Sequence, residues 1–337
     1  MKNHKAIILM SSYLLSSSIG WAANENSLCN YLLGQGVNQC KSDQSLLGSD
    51  ENLDKYFVKY DGEHPGNNEQ QYYQADHVRW NNSDNSVSLI AEAKKSHLHN
   101  FTSGEIKTFG KLTITEDDEV THHKIAHGAV EIEAIIPRGE GRWPALWMMP
   151  YYDNGHTWPS GMEIDILEFM AKPFPVIGTV HYGLEGGDIP TGSSWNYNNN
   201  LDLNYSSEIK DNEPHHYGIE WNIDGNQVNL TWYFDGNPYF QITMENDGEQ
   251  YRSKTRILPS GPEGDLSCSK YTNRCPSKYG VSLSEAAYKS FMNGFNSGYY
   301  LIINMAVGGD GVSPEPNPNL FPDTEMKITQ VHRYVIS

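Results

Sequence analysis

Trp158-Pro159-Ser160-Gly161-Met162-Glu163-Ile164-Asp165-Ile166-Leu167-Glu168-Phe169 is the stretch from which the rest of the chain can be read. Glu163 and Asp165 alternate with Ile164 and Ile166, a period of two that predicts a half-buried strand with acids on one face and isoleucines on the other. Glu168 breaks the rhythm, because five residues after Glu163 it falls on the core side of a regular strand. One extra residue at Ile166-Leu167, a β-bulge, returns it to the side of the other two acids. The expectation is three carboxylates in a row along one side of a sheet.

Carboxylates that close repel one another and push their proton affinities apart. Glycoside cleavage uses such a pair, one ionised to attack the anomeric carbon and one protonated to donate to the leaving oxygen. Retention of configuration needs about 5–5.5 Å between the two, inversion about 6.5–9.5 Å, and two acids across a bulge on one strand fit the shorter spacing. Two plainer readings stand beside this one: the wet edge of an ordinary strand, and a calcium cluster, since oxygen ligands suit that ion. Rings nearby favour the sugar cleft. Arg142-Trp143-Pro144-Ala145-Leu146-Trp147 lies just upstream and Trp158 is five residues from Glu163, and indoles stack on pyranose faces. Trp147, inside an apolar run, reads equally well as core.

Working outward, short β-rich runs recur at 86–93, 129–136 and 227–234, and Asp224-Gly225 and Asp235-Gly236 are turns of the kind that join antiparallel strands. No helical pattern of 10 to 15 residues alternates with them, which excludes an α/β barrel or a doubly wound sheet. The fold class is therefore all-β, a two-sheet antiparallel sandwich with an open cleft. Residues 23–55 read as an adaptor or wrapping segment, 56–337 as one sandwich, 248–297 as a long connection, and Ser282–Phe291 as a short helix. No linker or internal repeat divides the sandwich.

The 337 residues hold 24 Lys+Arg against 42 Asp+Glu, a formal charge of -18. Such a surface repels nucleic acid and anionic lipid and leaves a neutral polymer as the better partner. The opening has a basic tip at Lys2 and Lys5, an apolar stretch from Ala6 to Leu15 and small residues at Ala22-Ala23, the pattern of a secretory signal peptide over residues 1–22. Export, to the periplasm or beyond, makes disulfides plausible. Four cysteines allow three pairings, and the short separations favour Cys29 with Cys40 and Cys268 with Cys275. Nothing in the sequence marks an oligomer interface, so a monomer is expected.

The run from Trp158 to Phe169 closely resembles the active-site signature of glycoside hydrolase family 16 in its bulged form, as in bacterial laminarinases. Other segments follow the family in order: Gly66-Asn67-Asn68-Glu69, Gly141-Arg142-Trp143-Pro144, Gly178-Thr179-Val180-His181-Tyr182, Trp232-Tyr233-Phe234-Asp235-Gly236 and Tyr300 to Gly309. The resemblance implies a β-jelly roll that hydrolyses internal β-1,3-glucan bonds with retention. It implies Glu163 as nucleophile, Glu168 as general acid/base and Asp165 as the helper of the nucleophile. Asn68 then matches a sugar-contacting position, and His181 lies on a strand whose His is near the acid/base, either tuning Glu168 or fixing a turn. Trp143 and Trp158 are expected to stack on sugar, with Asn68, Glu69 and Arg142 as polar contacts.

Two departures bear on this. After Gly308-Gly309 the laminarinase pattern continues Asn-Trp-Pro-Gly, whereas this chain has Asp310-Gly311-Val312-Ser313-Pro314, so a cleft aromatic is missing. Thr329 stands where many relatives carry an Asp that ligates calcium on the convex face. A hydroxyl is a poor substitute for a carboxylate with a hard cation, so no cofactor is expected and calcium is doubtful. Alternatives are the same chemistry on mixed-linkage glucan or a galactan, transglycosylation, and a non-catalytic glucan-binding protein, which would have lost one of the two glutamates.

Overall fold

The computed structural model describes residues 27–64, 66–117, 123–151, 158, 161–169, 176–181, 196–197, 201–202, 213–257, 267–268, 281–283 and 285–337. Two antiparallel sheets face each other. The inner, seven-stranded sheet runs Asn196–Tyr197, Ile177–His181, Glu163–Glu168, Arg142–Pro150, Tyr299–Val307, Glu105–Lys107, Val58–Lys59. The outer, ten-stranded sheet is built around His215–Asp224, His127–Ile135 and Thr324–Ile336, with Gln227–Phe234 and Asn237–Asn246 to one side and Ser86–Ala91 to the other.

Alternation explains why the sheets stack. Ile164, Leu146, Met148, Leu301 and Ile303 point from the inner sheet into one continuous core, where they meet Val130, Ile132, Ile219, Trp221, Leu230 and Trp232 from the outer sheet, all buried. The other face of the inner sheet is left for the cleft. The indole N–H of Trp232 crosses the core and donates to the carbonyl of Asp165 at 2.7 Å. Space for that ring comes from Gly178, where a Cβ would lie 2.5 Å from Trp232 Cδ1.

The adaptor segment is a working part of the sandwich. Cys40–Ser45 pairs with the last strand, Thr324–Ile336, so the segment before residue 56 wraps onto the outer sheet and adds a strand to it. Ser27 caps the helix Leu28–Gly34, and the Leu28 N–H donates to the buried Glu131 Oε1 at 2.7 Å. A Cβ at position 218 would come within 2.7 Å of Leu28 Cδ1, so Gly218 leaves the seat for that side chain. A disulfide joins Cys29 to Cys40. Residues 1–22 and Cys275 lie outside the described residues, and with them the expected leader and second bridge.

The described residues of the connection 248–297 hold regular elements. They form a strand at Tyr251–Ile257, another at Val281–Leu283 and the helix Glu285–Ser297, which starts later and runs longer than the expected Ser282–Phe291. On the last strand the Thr329 hydroxyl donates to the Glu133 carbonyl at 3.0 Å, at an irregularity in the pairing. That oxygen is engaged within the sheet and adds no negative charge, so this position does not fit a calcium ligand. Among the described residues no helix is long and apolar enough to cross a membrane.

Replacing Cys29 and Cys40 together by Ser should lower the thermal midpoint by several degrees while activity persists. An 11-residue separation closes a loop worth about 3 kcal/mol in the unfolded chain, and the bridge lies far from the cleft. An unchanged midpoint would show that strand pairing alone holds the segment.

Candidate active site

The bulge expected from spacing is present. Asp165 pairs with Trp147, but the next partner on that side is Leu167 with Leu146, and on the other side the register jumps from Asp165 to Glu168. Ile164, Ile166 and Leu167 are all buried, so the extra residue is absorbed on the core side and Glu168 emerges beside the other acids. Just upstream, Gly161 and Met162 both adopt positive φ, 87° and 70°, an uncommon conformation for the fully buried Met162 that turns the chain into the strand.

Glu163, Asp165 and Glu168 line one cleft of about 620 Å³, within the usual range for a small-molecule or sugar site. Each glutamate receives one indole N–H: Trp158 donates to Glu163 Oε2 at 2.8 Å and Trp143 to Glu168 Oε1 at 2.9 Å. Trp158 is half exposed, whereas Trp143 is buried. His181 Nε2 lies 3.3 Å from Asp165 Oδ2 and 3.9 Å from Glu163 Oε1. The imidazole therefore sits closest to Asp165 and Glu163, and its charge also acts on Glu168, the acid it was expected to tune.

The cleft floor carries a chain of polar contacts. Trp147 donates to Asn304 Oδ1 at 2.7 Å, Asn304 Nδ2 to the Tyr73 hydroxyl at 2.7 Å, and Tyr73 in turn to Glu69 Oε2 at 3.4 Å. Gln71 also donates to Glu69 Oε2, at 2.5 Å. Trp147, left open between core and cleft, lines the cleft, as does Glu69. Asn68 does not: its amide donates to both Asp310 oxygens, at 2.9 and 3.1 Å, and Asn67 takes the lining position. Arg142 is a correction of another kind. Its guanidinium turns to the Thr324 hydroxyl and the Arg138 carbonyl, near the Phe321 ring, and is no part of the cleft wall.

Sequence reading missed His64 and Asn304 as lining residues, whereas Asp310 and Gly311, at the place where it expected a cleft aromatic to be missing, do line the cleft. Asn304 left a signal, a lone amide in the apolar run Ile302-Ile303-Asn304-Met305-Ala306, at a position that alternation puts on the cleft face. His64 left none, since its place depends on Glu105, a fully buried acid 3.0 Å from His64 Nε2.

Burial raises the proton affinity of all three acids. For Glu163 the Asp165 charge adds to burial, while His181 and the Trp158 N–H pull the other way. Asp165 is raised by burial and then by Glu168, and Glu168 by burial against the Trp143 hydrogen bond and the His181 charge. The row therefore holds protons above the ordinary carboxyl range, which suits an acid that must donate. Ligand atoms of Glu163, Asp165 and His181 lie within 4.8 Å of one another, so these three could hold a cation. Proton-retaining acids and an imidazole are a poor set for calcium, and the arrangement fits proton sharing better.

A jelly roll with paired carboxylates and indoles on its open face defines a carbohydrate-active class. The model of the glycosyl hydrolases family 16 matches residues 66–261, more than half of the chain, and the chain belongs to that family. It is 28% identical over 240 residues to the glucan endo-1,3-beta-glucosidase A1 of Niallia circulans, covering 69% of this chain and 26% of that protein. It is 27% identical over 336 residues to a beta-glucanase of Rhodothermus marinus, covering 93% of this chain and 92% of the other. The laminarinase structure from Flavobacterium sp. UMI-01 shares the fold, with a TM-score of 0.55 and 21% identity over 87% of this chain and all of that one.

Two outcomes follow from the geometry. Trp232→Phe keeps most of the ring but strands the buried Asp165 carbonyl, a loss of about 1–3 kcal/mol. The midpoint should fall and kcat should drop more than KM changes, though residue 232 touches no substrate. Glu168→Gln should raise the midpoint at pH 7 by about 2–4 °C. Its folded value is raised, so between pH 4.5 and that value the unfolded chain has lost a proton that the native state keeps, and stability falls as pH rises. Below pH 4.5 the gain should vanish, and a gain that persists there would point to packing instead.

Proposed function

We propose that the protein is a retaining endo-hydrolase of β-1,3-linked glucan. The observation that carries this reading is the bulge that brings Glu163 and Glu168 onto one face of one strand, each held by an indole N–H. In the first step Glu163 attacks the anomeric carbon while Glu168 gives its proton to the departing glycosidic oxygen. In the second, Glu168 takes a proton from water, the hydroxide adds to the anomeric carbon, and Glu163 leaves as carboxylate. Asp165 and His181 flank the nucleophile: the imidazole favours ionised Glu163, and Asp165 holds it in place.

Several observations support a neutral polymer. His64 is the cleft-lining base on the side away from His181, and buried Glu105 lies against it. The walls otherwise offer acids, amides and indoles, and the formal charge of -18 repels sulfated chains. The relatives' names point the same way. Export, expected from the leader-like opening, is consistent with the Cys29–Cys40 bridge, since disulfides persist in oxidising compartments. A monomer remains the simplest working unit.

Product analysis on laminarin, lichenan and agarose tests the substrate, with laminarin cut internally at the highest kcat/KM. Glu163→Gln should lower turnover on the order of 10³-fold or more while polymer binding survives. Glu168→Ala should spare an aryl glycoside with a good leaving group, and azide should restore its turnover and yield a β-azide. The acid limb of the wild-type profile should lie above pH 4.5, because Glu163 must lose a proton that burial and Asp165 raise. Full activity of Glu163→Gln on laminarin overturns these roles.

A further inference from the structure

The inner sheet carries a second group of rings that the catalytic apparatus does not use. Ile164 pairs with Met148, and Met148 with Leu301. One step along each strand, Glu163 therefore stands level with Met149, and Met149 pairs with Tyr300. Ile302 pairs with Lys107, and the Thr108 N–H donates to the Leu301 carbonyl at 2.9 Å, which sets Phe109 beside Tyr300 on the far side. Strands lie about 4.8 Å apart. A row thus crosses the sheet from His181 and Glu163 through Met149 to Tyr300 and Phe109, perpendicular to the strands. Tyr300 is on the cleft face, because Asn304 and Ala306, four and six residues on in the same strand, line the cleft.

Three rings close the row. Phe109 lies 4.9 Å from Tyr300 at 75° and 5.3 Å from Tyr151 at 25°, and Tyr151 lies 5.2 Å from Tyr300. The Gly110 N–H donates to the Tyr151 hydroxyl at 3.0 Å and so fixes that ring. Phe109 is 48% exposed, one of few large apolar side chains on the surface among the described residues. Packing does not account for a half-bare ring braced by two tyrosines at the far end of the row that starts at Glu163, outside the cleft lining itself. Pyranose rings present apolar C–H faces that stack on such surfaces, and the tyrosine hydroxyls can meet the sugar hydroxyls at the rim.

We propose that Phe109, Tyr151 and Tyr300 form a distal sugar-binding platform that holds the same glucan chain several residues from the bond being cut. The ligand class rests on the glucan reading given above. Occupancy is argued from continuity: a chain that leaves Glu163 across the sheet meets these rings after about 10–14 Å, two to three strand spacings. Short substrates end before the platform, and long ones reach it. The platform is a binding element and touches no reacting atom.

The test compares Phe109→Ala with wild type on laminarin and on a short activated aryl glycoside, with Phe109→Trp as the conservative variant. For Phe109→Ala, kcat/KM on laminarin should fall about three- to tenfold, through KM, as expected for one lost ring contact. The aryl glycoside should be turned over as before, the thermal midpoint should be unchanged, and Phe109→Trp should restore the polymer value. In the inactive Glu163→Gln background, affinity for laminarin-derived oligosaccharides should rise with length in the parent and level off earlier with Phe109→Ala. Equal losses on both substrates, or no loss on laminarin when wild type cuts it, overturn the platform alone. Wild-type protein that leaves laminarin intact overturns the glucan reading and the platform's ligand with it.

Discussion

One hydrogen bond ties the chemistry to the core: the Trp232 indole N–H reaching across the sandwich to the Asp165 carbonyl. A bulge releases a backbone carbonyl from its ladder, and a buried carbonyl without a partner is costly. Trp232 supplies the partner from the opposite sheet, and Gly178 leaves the space for it. The irregularity that brings Glu168 to the cleft is thus held by the stable outer sheet, so the acids stand on a rigid support rather than on a loop.

The same placement has an electrostatic cost. Three carboxyls buried on one strand resist ionisation, and each is partly offset by a neighbour: His181 and the Trp158 N–H on Glu163, the Trp143 N–H and His181 on Glu168, and a hydrogen bond with Glu163 on Asp165. Proton retention is unfavourable for folding at neutral pH and useful for an acid catalyst, a conflict common at active sites. The outer sheet with its N-terminal clasp, in which Leu28 binds Glu131 and the disulfide closes the segment, supplies stability away from the cleft.

Much of the site could be read from residue order because it is local. Glu163, Asp165 and Glu168 lie on one strand, where period and bulge chemistry decide their side. Trp143 and Trp158 are near in sequence and proved near in space. Asn68 and Arg142 stand outside the cleft lining because each has a partner drawn from a distant part of the chain, Asp310 for the amide and Thr324 for the guanidinium, the latter held also by the nearby Arg138 carbonyl. His181 pairs with Glu163 across the strands, and its charge reaches Glu168 as well as Glu163.

By itself the sequence determined the β class, the three-acid strand with its bulge, the acidic surface and the short cysteine separations, because each depends on residues close in the chain. Tertiary structure decided what depends on register between remote strands. It made residues 27–55 a clasp on the outer sheet, gave 248–297 its strands and helix, and aligned Tyr300 and Phe109 with Glu163 across the sheet. Side-chain partners more than a hundred residues apart, such as Trp147 with Asn304, are fixed only once the strands have paired, and no local pattern encodes that choice.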